Sequence, residues 1–129
     1  MPRNLVSTGS PMEATFGYSR ALVDEPFVFV AGTTGYDYAT MTLPADAEQQ
    51  ARNAWTTIAE VLESVGFSLH DIVRATYYVT DGSHAEPLLR VCGERPAEIR
   101  PAATLLVVAG LLEPATKIEI EVTALRRGR

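Results

Sequence analysis

Arg100-Pro101-Ala102-Ala103-Thr104-Leu105-Leu106-Val107-Val108-Ala109-Gly110-Leu111, followed by Lys117-Ile118-Glu119-Ile120-Glu121-Val122-Thr123-Ala124, is the stretch on which the fold turns. From Thr104 to Ala109 almost every position is apolar, the pattern of a strand covered on both faces. The second segment alternates strictly. Ile118, Ile120, Val122 and Ala124 share one side, and Glu119, Glu121 and Thr123 the other. One strand is therefore doubly apolar, and its neighbour carries acids on a surface close to it.

Upstream, Gly17 to Val23 and Phe27 to Ala31 read as a hairpin joined by Asp24-Glu25-Pro26, with strand-forming Phe27-Val28-Phe29-Val30 in its second arm. The loop from Gly32 to Thr42 is polar yet holds Tyr36, Tyr38 and Met41. A helix is expected from about Pro44 to Val65. Ala47, Ala51, Ala54, Ile58, Val61, Leu62 and Val65 recur at helical spacing, Asp46 and Glu48 suit its positive end, and Gly66 suits its stop. Ile72 to Thr80 is the next strand, and a shorter helix runs around His84 to Cys92. The order is ββαβαββ, an α+β mixed sheet with both helices packed on one face. That layout leaves the second side of Thr104–Ala109 without cover, so an oligomer is expected on packing grounds alone.

Composition bounds the function. At 129 residues the chain is read as a single domain, 1–129, with 47% hydrophobic and 21% charged residues. Sixteen acidic residues outnumber eleven Lys and Arg, and the only basic cluster is the terminal Arg126-Arg127-Gly128-Arg129, read as a solvated end. An acidic domain without a basic stripe argues against general nucleic-acid binding. The single Cys92 excludes an intrachain disulfide and is read as a buried helix thiol rather than a nucleophile. His70 and His84 lie far apart without metal-ligand spacing, so no metal and no cofactor is expected. The longest apolar run falls short of the ~20 residues that span a bilayer, and the first residues lack the apolar core of a signal peptide. No membrane association and a cytoplasmic location are the expectation.

Several pieces in order, Gly17-Tyr18-Ser19-Arg20-Ala21, Val28-Phe29-Val30-Ala31-Gly32-Thr33-Thr34-Gly35, Asp71-Ile72-Val73-Arg74, Tyr78-Val79-Thr80-Asp81, Arg100-Pro101-Ala102 and Ile118-Glu119-Ile120-Glu121, give the chain its likeness to a known family. From Met12 to Leu125 it resembles the RidA/YjgF (Rid) family, whose best-known members hydrolyse reactive enamines and imines. The resemblance implies a chorismate mutase-like fold and a homotrimer. The sheets would join in a central barrel, with three small-molecule clefts between subunits. It implies that Tyr18 lines the cleft, that the Gly32 backbone meets the ligand, and that Glu119 positions the attacking water. Thr104 would lie on the ligand-facing strand. Thr33, Tyr36 and Arg20 are further candidate contacts, Tyr36 as a cleft wall and Arg20 as a relocated cation.

One position departs from the family pattern. Ala103 stands where the family's deaminases carry an arginine after Pro-Ala. A guanidinium would hold a 2-imino acid's carboxylate through two parallel charge-assisted hydrogen bonds, and alanine supplies nothing equivalent. The resemblance therefore implies hydrolysis of a reactive enamine, imine or related metabolite, but not efficient 2-imino acid deamination. A non-catalytic module that binds a small metabolite is the second reading. A ribonuclease or translation inhibitor is the third, against which the acidic charge and the lack of a His/Lys catalytic pair argue.

Overall fold

The computed structural model describes residues 3–95 and 98–127. In chain order the elements are β1 (Asn4–Val6), α1 (Pro11–Phe16), β2 (Ala21–Asp24), β3 (Phe27–Thr33), α2 (Ala47–Ser64), β4 (Ile72–Val79), α3 (Ala85–Cys92), β5 (Ala102–Val107) and β6 (Ile118–Leu125). The strands form one six-stranded sheet ordered β1-β2-β3-β6-β4-β5. All neighbours are antiparallel except β4 and β5, which run parallel through the α3 crossover.

The last strand in sequence sits in the middle. Strict alternation lets β6 bury Ile118, Ile120, Val122 and Ala124 at 3% exposure or less. They meet Val28 and Val30 of β3, Ala75, Tyr77 and Val79 of β4, and the apolar stripe of α2. The opposite face carries Glu119, Glu121 and Thr123, flanked by Phe27 and Phe29 of β3, whose rings stack with centroids 5.8 Å apart.

Where the chain departs from expectation, local hydrogen bonding decides. The long helix begins at Ala47, not Pro44, because the Asp46 carboxylate caps it by accepting from the Gln49 N–H at 3.1 Å. The Pro44 carbonyl accepts instead from the Gln50 side chain at 2.7 Å. The first arm of the expected hairpin is shorter: Gly17 ends α1, and β2 starts only at Ala21. Both β1 and α1 are additional to the expected order. The Ser10 side chain caps α1, Pro11 opens it, and the Glu13 carboxylate leaves the helix to accept from Thr8 N and Oγ1. Burial opposes ionisation of Glu13, yet hydrogen bonds from Thr8, Ser7 and the Arg20 backbone hold its carboxyl below the usual range.

The apolar strand ends before the run from Thr104 to Ala109 does, and in one chain its second face is open, as the expected layout requires. Strand β5 ends at Val107 on the sheet edge, and Leu105 packs against the core. Leu106, on the face opposite Leu105, is 44% exposed, so a lone chain does not cover both faces. Nor is Arg126 a solvated end. It lies 2.9 Å from Glu25, donates to the Gly66 carbonyl, and stacks 4.0 Å over the Phe67 ring. Residues 128 and 129 of that terminal cluster lie outside the described residues.

Gln50 ties the helix layer to the sheet. It is fully buried; its amide donates to the Pro44 and Ala115 carbonyls, and its oxygen accepts from Lys117 N at 2.8 Å. Gly35 packs on the same residue, where a Cβ would stand 2.5 Å from the Gln50 Cα. Lys117 leads directly into β6, so this buried amide anchors the central strand. Gln50→Leu should lower stability by about 2–4 kcal/mol, because an N–H and two carbonyls lose their partner together; urea unfolding measures it.

Candidate active site

Glu119 and Glu121 reach the open face from the centre of the sheet. Across β4, Glu119 is paired in register with Tyr78 and Glu121 with Thr76, and β5 continues these rows with Leu106 and Thr104. On the other side, the β3–β6 ladder slips between Val30 and Thr33, so Ala31 and Gly32 bulge beside the acids. Bulges of this kind re-aim side chains. Here the glycine makes room: a Cβ on Gly32 would fall on the Glu119 carboxylate, whose Cδ would be 2.8 Å away.

The two acids live in different surroundings. Glu121 accepts from the Tyr78 hydroxyl at 2.5 Å, a bond that pushes the phenol up to about 12, with burial adding to the rise. Glu119 has no such donor among the described residues. Burial pushes its carboxyl up, the Arg20 guanidinium opposes the shift, and the neighbouring Glu121 charge adds to it. Arg20 is itself 6% exposed, and its Nη2 donates to the Gly32 carbonyl at 2.6 Å. Arg20, Gly32 and Glu119 thus form one unit, the arginine held on the Gly32 carbonyl and the acid packed against the Gly32 Cα.

The remaining candidates are dispersed. Tyr18, 41% exposed, lines a depression of about 490 Å³ with Leu5, Leu22, Phe29 and Glu121, one pleat along β6 from Glu119. Thr33 is fully buried and donates its hydroxyl to the Ala31 carbonyl at 2.9 Å, which removes it as a ligand contact. Tyr36 and Tyr38 line a separate cavity of about 520 Å³ against α2, so within one chain they do not wall the surface that bears Glu119. Thr104 shares the open face, whereas Ala103 pairs with Ala75 and so belongs to the helix-side face. Arg20 is a buried support, not an exposed cation. Tyr78 and Glu121 escaped the sequence reading as a pair because only strand register brings them together.

Among the described residues no group of three or more His, Cys, Asp or Glu gathers as metal ligands. His70 instead meets Glu98 at 3.2 Å. What the open face can do is bind water and move a proton. Glu119, half-buried and able to take up a proton more readily than a free carboxyl, is suited to both.

That environment has a thermodynamic consequence. The folded chain holds the Glu119 proton more tightly than the unfolded chain, so this acid erodes stability as pH rises from 4.5 through its higher folded value. Glu119→Gln should therefore raise the thermal midpoint at pH 7. The advantage should vanish below pH 4.5, where the glutamate is neutral in both states. Scanning calorimetry at both ends of that range checks it.

Comparison with known proteins agrees with this architecture. The family profile described as Endoribonuclease L-PSP matches residues 8–126. An uncharacterised protein of Streptomyces coelicolor, SCO2049, is 30% identical over 121 residues, covering 94% of this chain and 90% of that protein. A 2-iminobutanoate/2-iminopropanoate deaminase of Bos taurus is 27% identical, covering 96% of this chain and 90% of the deaminase. The crystal structure of Rv2704 from Mycobacterium tuberculosis, a member of the YjgF/YER057c/UK114 family, superposes with a TM-score of 0.88 at 37% identity, covering 97% of this chain and 100% of that one. With the central acid strand, the bulged glycine and these matches in hand, the chain belongs to the RidA/YjgF family.

Proposed function

We propose that this protein hydrolyses the C=N bond of a reactive imine or enamine, with Glu119 as the proton-transferring acid. The carrying observation is the Glu119 carboxyl lodged on Gly32, partly desolvated and without a competing donor among the described residues. A water held by the carboxylate attacks the imine carbon, forming a C–O bond while its proton passes to Glu119. Glu119 returns that proton to nitrogen to give a carbinolamine; it then takes the carbinolamine O–H proton and passes it to nitrogen as the C=O bond forms and the C–N bond breaks, so that a carbonyl compound and an amine or ammonia leave. Gly32 leaves space for the acid, and Arg20 fixes the Gly32 carbonyl, acting as a positioning residue.

The substrate class follows from where the cations are. Arg20 is buried and engaged, and Ala103 offers no charge. A substrate carboxylate would find no exposed guanidinium from either position, so imines without a carboxylate beside the reacting carbon fit better than 2-imino acids. The resemblance to a bovine imine deaminase supports the reaction class, not that substrate. We further propose that copies of the chain assemble as a homotrimer through the open face, where Phe27, Phe29 and Leu106 stand exposed around the acids.

Ammonia or amine release from freshly generated imines, amine-derived and amino-acid-derived in parallel, tests the reaction. We expect turnover of the amine-derived set, a drop of about a hundredfold or more in Glu119→Gln, and a comparable drop in Gly32→Ala, which displaces the acid while the fold persists. Ala103→Arg, on the helix-side face of the edge strand, should shift preference towards 2-imino acids only in the assembled protein, where that edge can meet a neighbouring copy's Glu119, and not in a lone chain. Saturable binding without turnover of any imine would instead support a metabolite-binding module. Sedimentation should give three protomers at micromolar concentration; a stable monomer overturns the assembly.

A further inference from the structure

A second chamber lies on the helix side of the sheet, with Trp55 of α2, Tyr77 of β4, Cys92 of α3 and Ile99 in its wall, and it encloses about 320 Å³. That volume sits at the small end of the roughly 300–1,000 Å³ typical of ligand sites. Its wall is mainly apolar. Trp55 and Tyr77, 3% and 6% exposed, meet edge to face with ring centroids 6.4 Å apart. The Tyr77 hydroxyl is directed at the Cys92 sulfur, and burial keeps that thiol protonated. The Trp55 indole Nε1 is buried and has no oxygen or nitrogen acceptor; only the Cys92 sulfur, a weak acceptor, lies near it. A buried donor satisfied so weakly is costly, and here it borders a cavity large enough to receive a stronger acceptor.

Charge adds to the same place, although Arg3, Arg74 and Arg127 elsewhere are likewise outside the ion pairs among the described residues. Arg52, Arg90 and Arg126 are each held in ion pairs. Arg95 and Arg100, both in the wall of this chamber, have no ion pair among the described residues, and the Arg95 Nε is buried without a partner. In a chain with a net charge of −5, two unpaired guanidiniums at one opening mark a point where an anion is favoured. Arg100 also holds a positive φ of 29°, a backbone cost for a residue with a long side chain. An apolar slot lined by aromatic rings, an indole donor within and two arginines in the wall define one ligand chemistry: a flat apolar body with a single negative head.

We propose that this chamber binds a small aromatic monocarboxylate, its ring packed by Trp55, Tyr77 and Ile99 and its carboxylate held by Arg95 and Arg100. The chamber includes none of the open-face residues, so the site is independent of the reaction proposed for Glu119.

Trp55 is the only tryptophan in the chain, so its emission reports on the chamber directly. Phenylacetate titrated into the full-length protein should change Trp55 emission saturably, with half-saturation below about 1 mM. Benzyl alcohol, matched in ring and size but neutral, should bind at least about tenfold more weakly, and the double variant Arg95→Gln, Arg100→Gln should lose phenylacetate affinity by a similar factor. Cys92→Phe should fill the chamber and abolish the change. Should that variant fail to fold by circular dichroism, the arginine pair, altered outside the core, still decides the question. No saturable change up to about 10 mM phenylacetate, equal affinity for benzyl alcohol, or full affinity in the arginine double variant overturns the proposal.

Discussion

Everything in this structure hangs on the register of β6. Four small or branched apolar side chains, Ile118, Ile120, Val122 and Ala124, are packed under α2 with almost no exposure. A slip of one residue would drive Glu119 and Glu121 into that core and turn the apolar set outward, a cost of several buried side chains at roughly 1.5–3 kcal/mol each. The position of the acids is therefore a by-product of core packing. The buried Gln50 amide, bonded to the Lys117 N–H just before the strand begins, holds the same register from its other end. Function on the open face is fixed by chemistry on the closed one.

The β3 bulge then differentiates two acids that the sequence presents as equivalents. Both project from one strand to one face two residues apart. Glu121 meets the Tyr78 phenol and is held as an acceptor; Glu119 meets a glycine and is left without a donor. Desolvation without a compensating donor raises the proton affinity of Glu119, whereas Glu121 is committed as the acceptor of the phenol. Nothing in the alternation Ile-Glu-Ile-Glu distinguishes these fates. They follow from which residues β3 and β4 place opposite.

That contrast explains what could be read from the chain and what could not. The alternation of Lys117–Ala124 announces a central strand, and the apolar stripe from Ala47 to Leu62 announces the helix that covers it. Short elements were hidden: β1 has three residues and α1 six, too few for a period to register, although Ser10-Pro11 followed by Glu13 is a usable start signal. Thr33, drawn into the candidate site by its place next to Gly32, faces the interior because of the same slip that opens the bulge. Arg20 reads as a free cation in sequence, but it is spent under the Gly32 carbonyl. Periodicity is local and visible, whereas pairing between distant strands is neither.

The exposed apolar ridge and the half-buried acid share one face, and this links assembly to chemistry. Phe27, Phe29 and Leu106 bracket the row of Glu119 and Glu121 across the sheet. Any surface laid over the ridge to remove it from water also removes water from the acids. Further desolvation would push the Glu119 proton affinity higher still, towards the neutral range in which a carboxyl can both accept and return a proton. A lone chain leaves that carboxyl partly hydrated and the ridge exposed. Under the proposed assembly, apolar contact supplies the association free energy, and the same exclusion of water raises the proton affinity of the acid between the apolar strands.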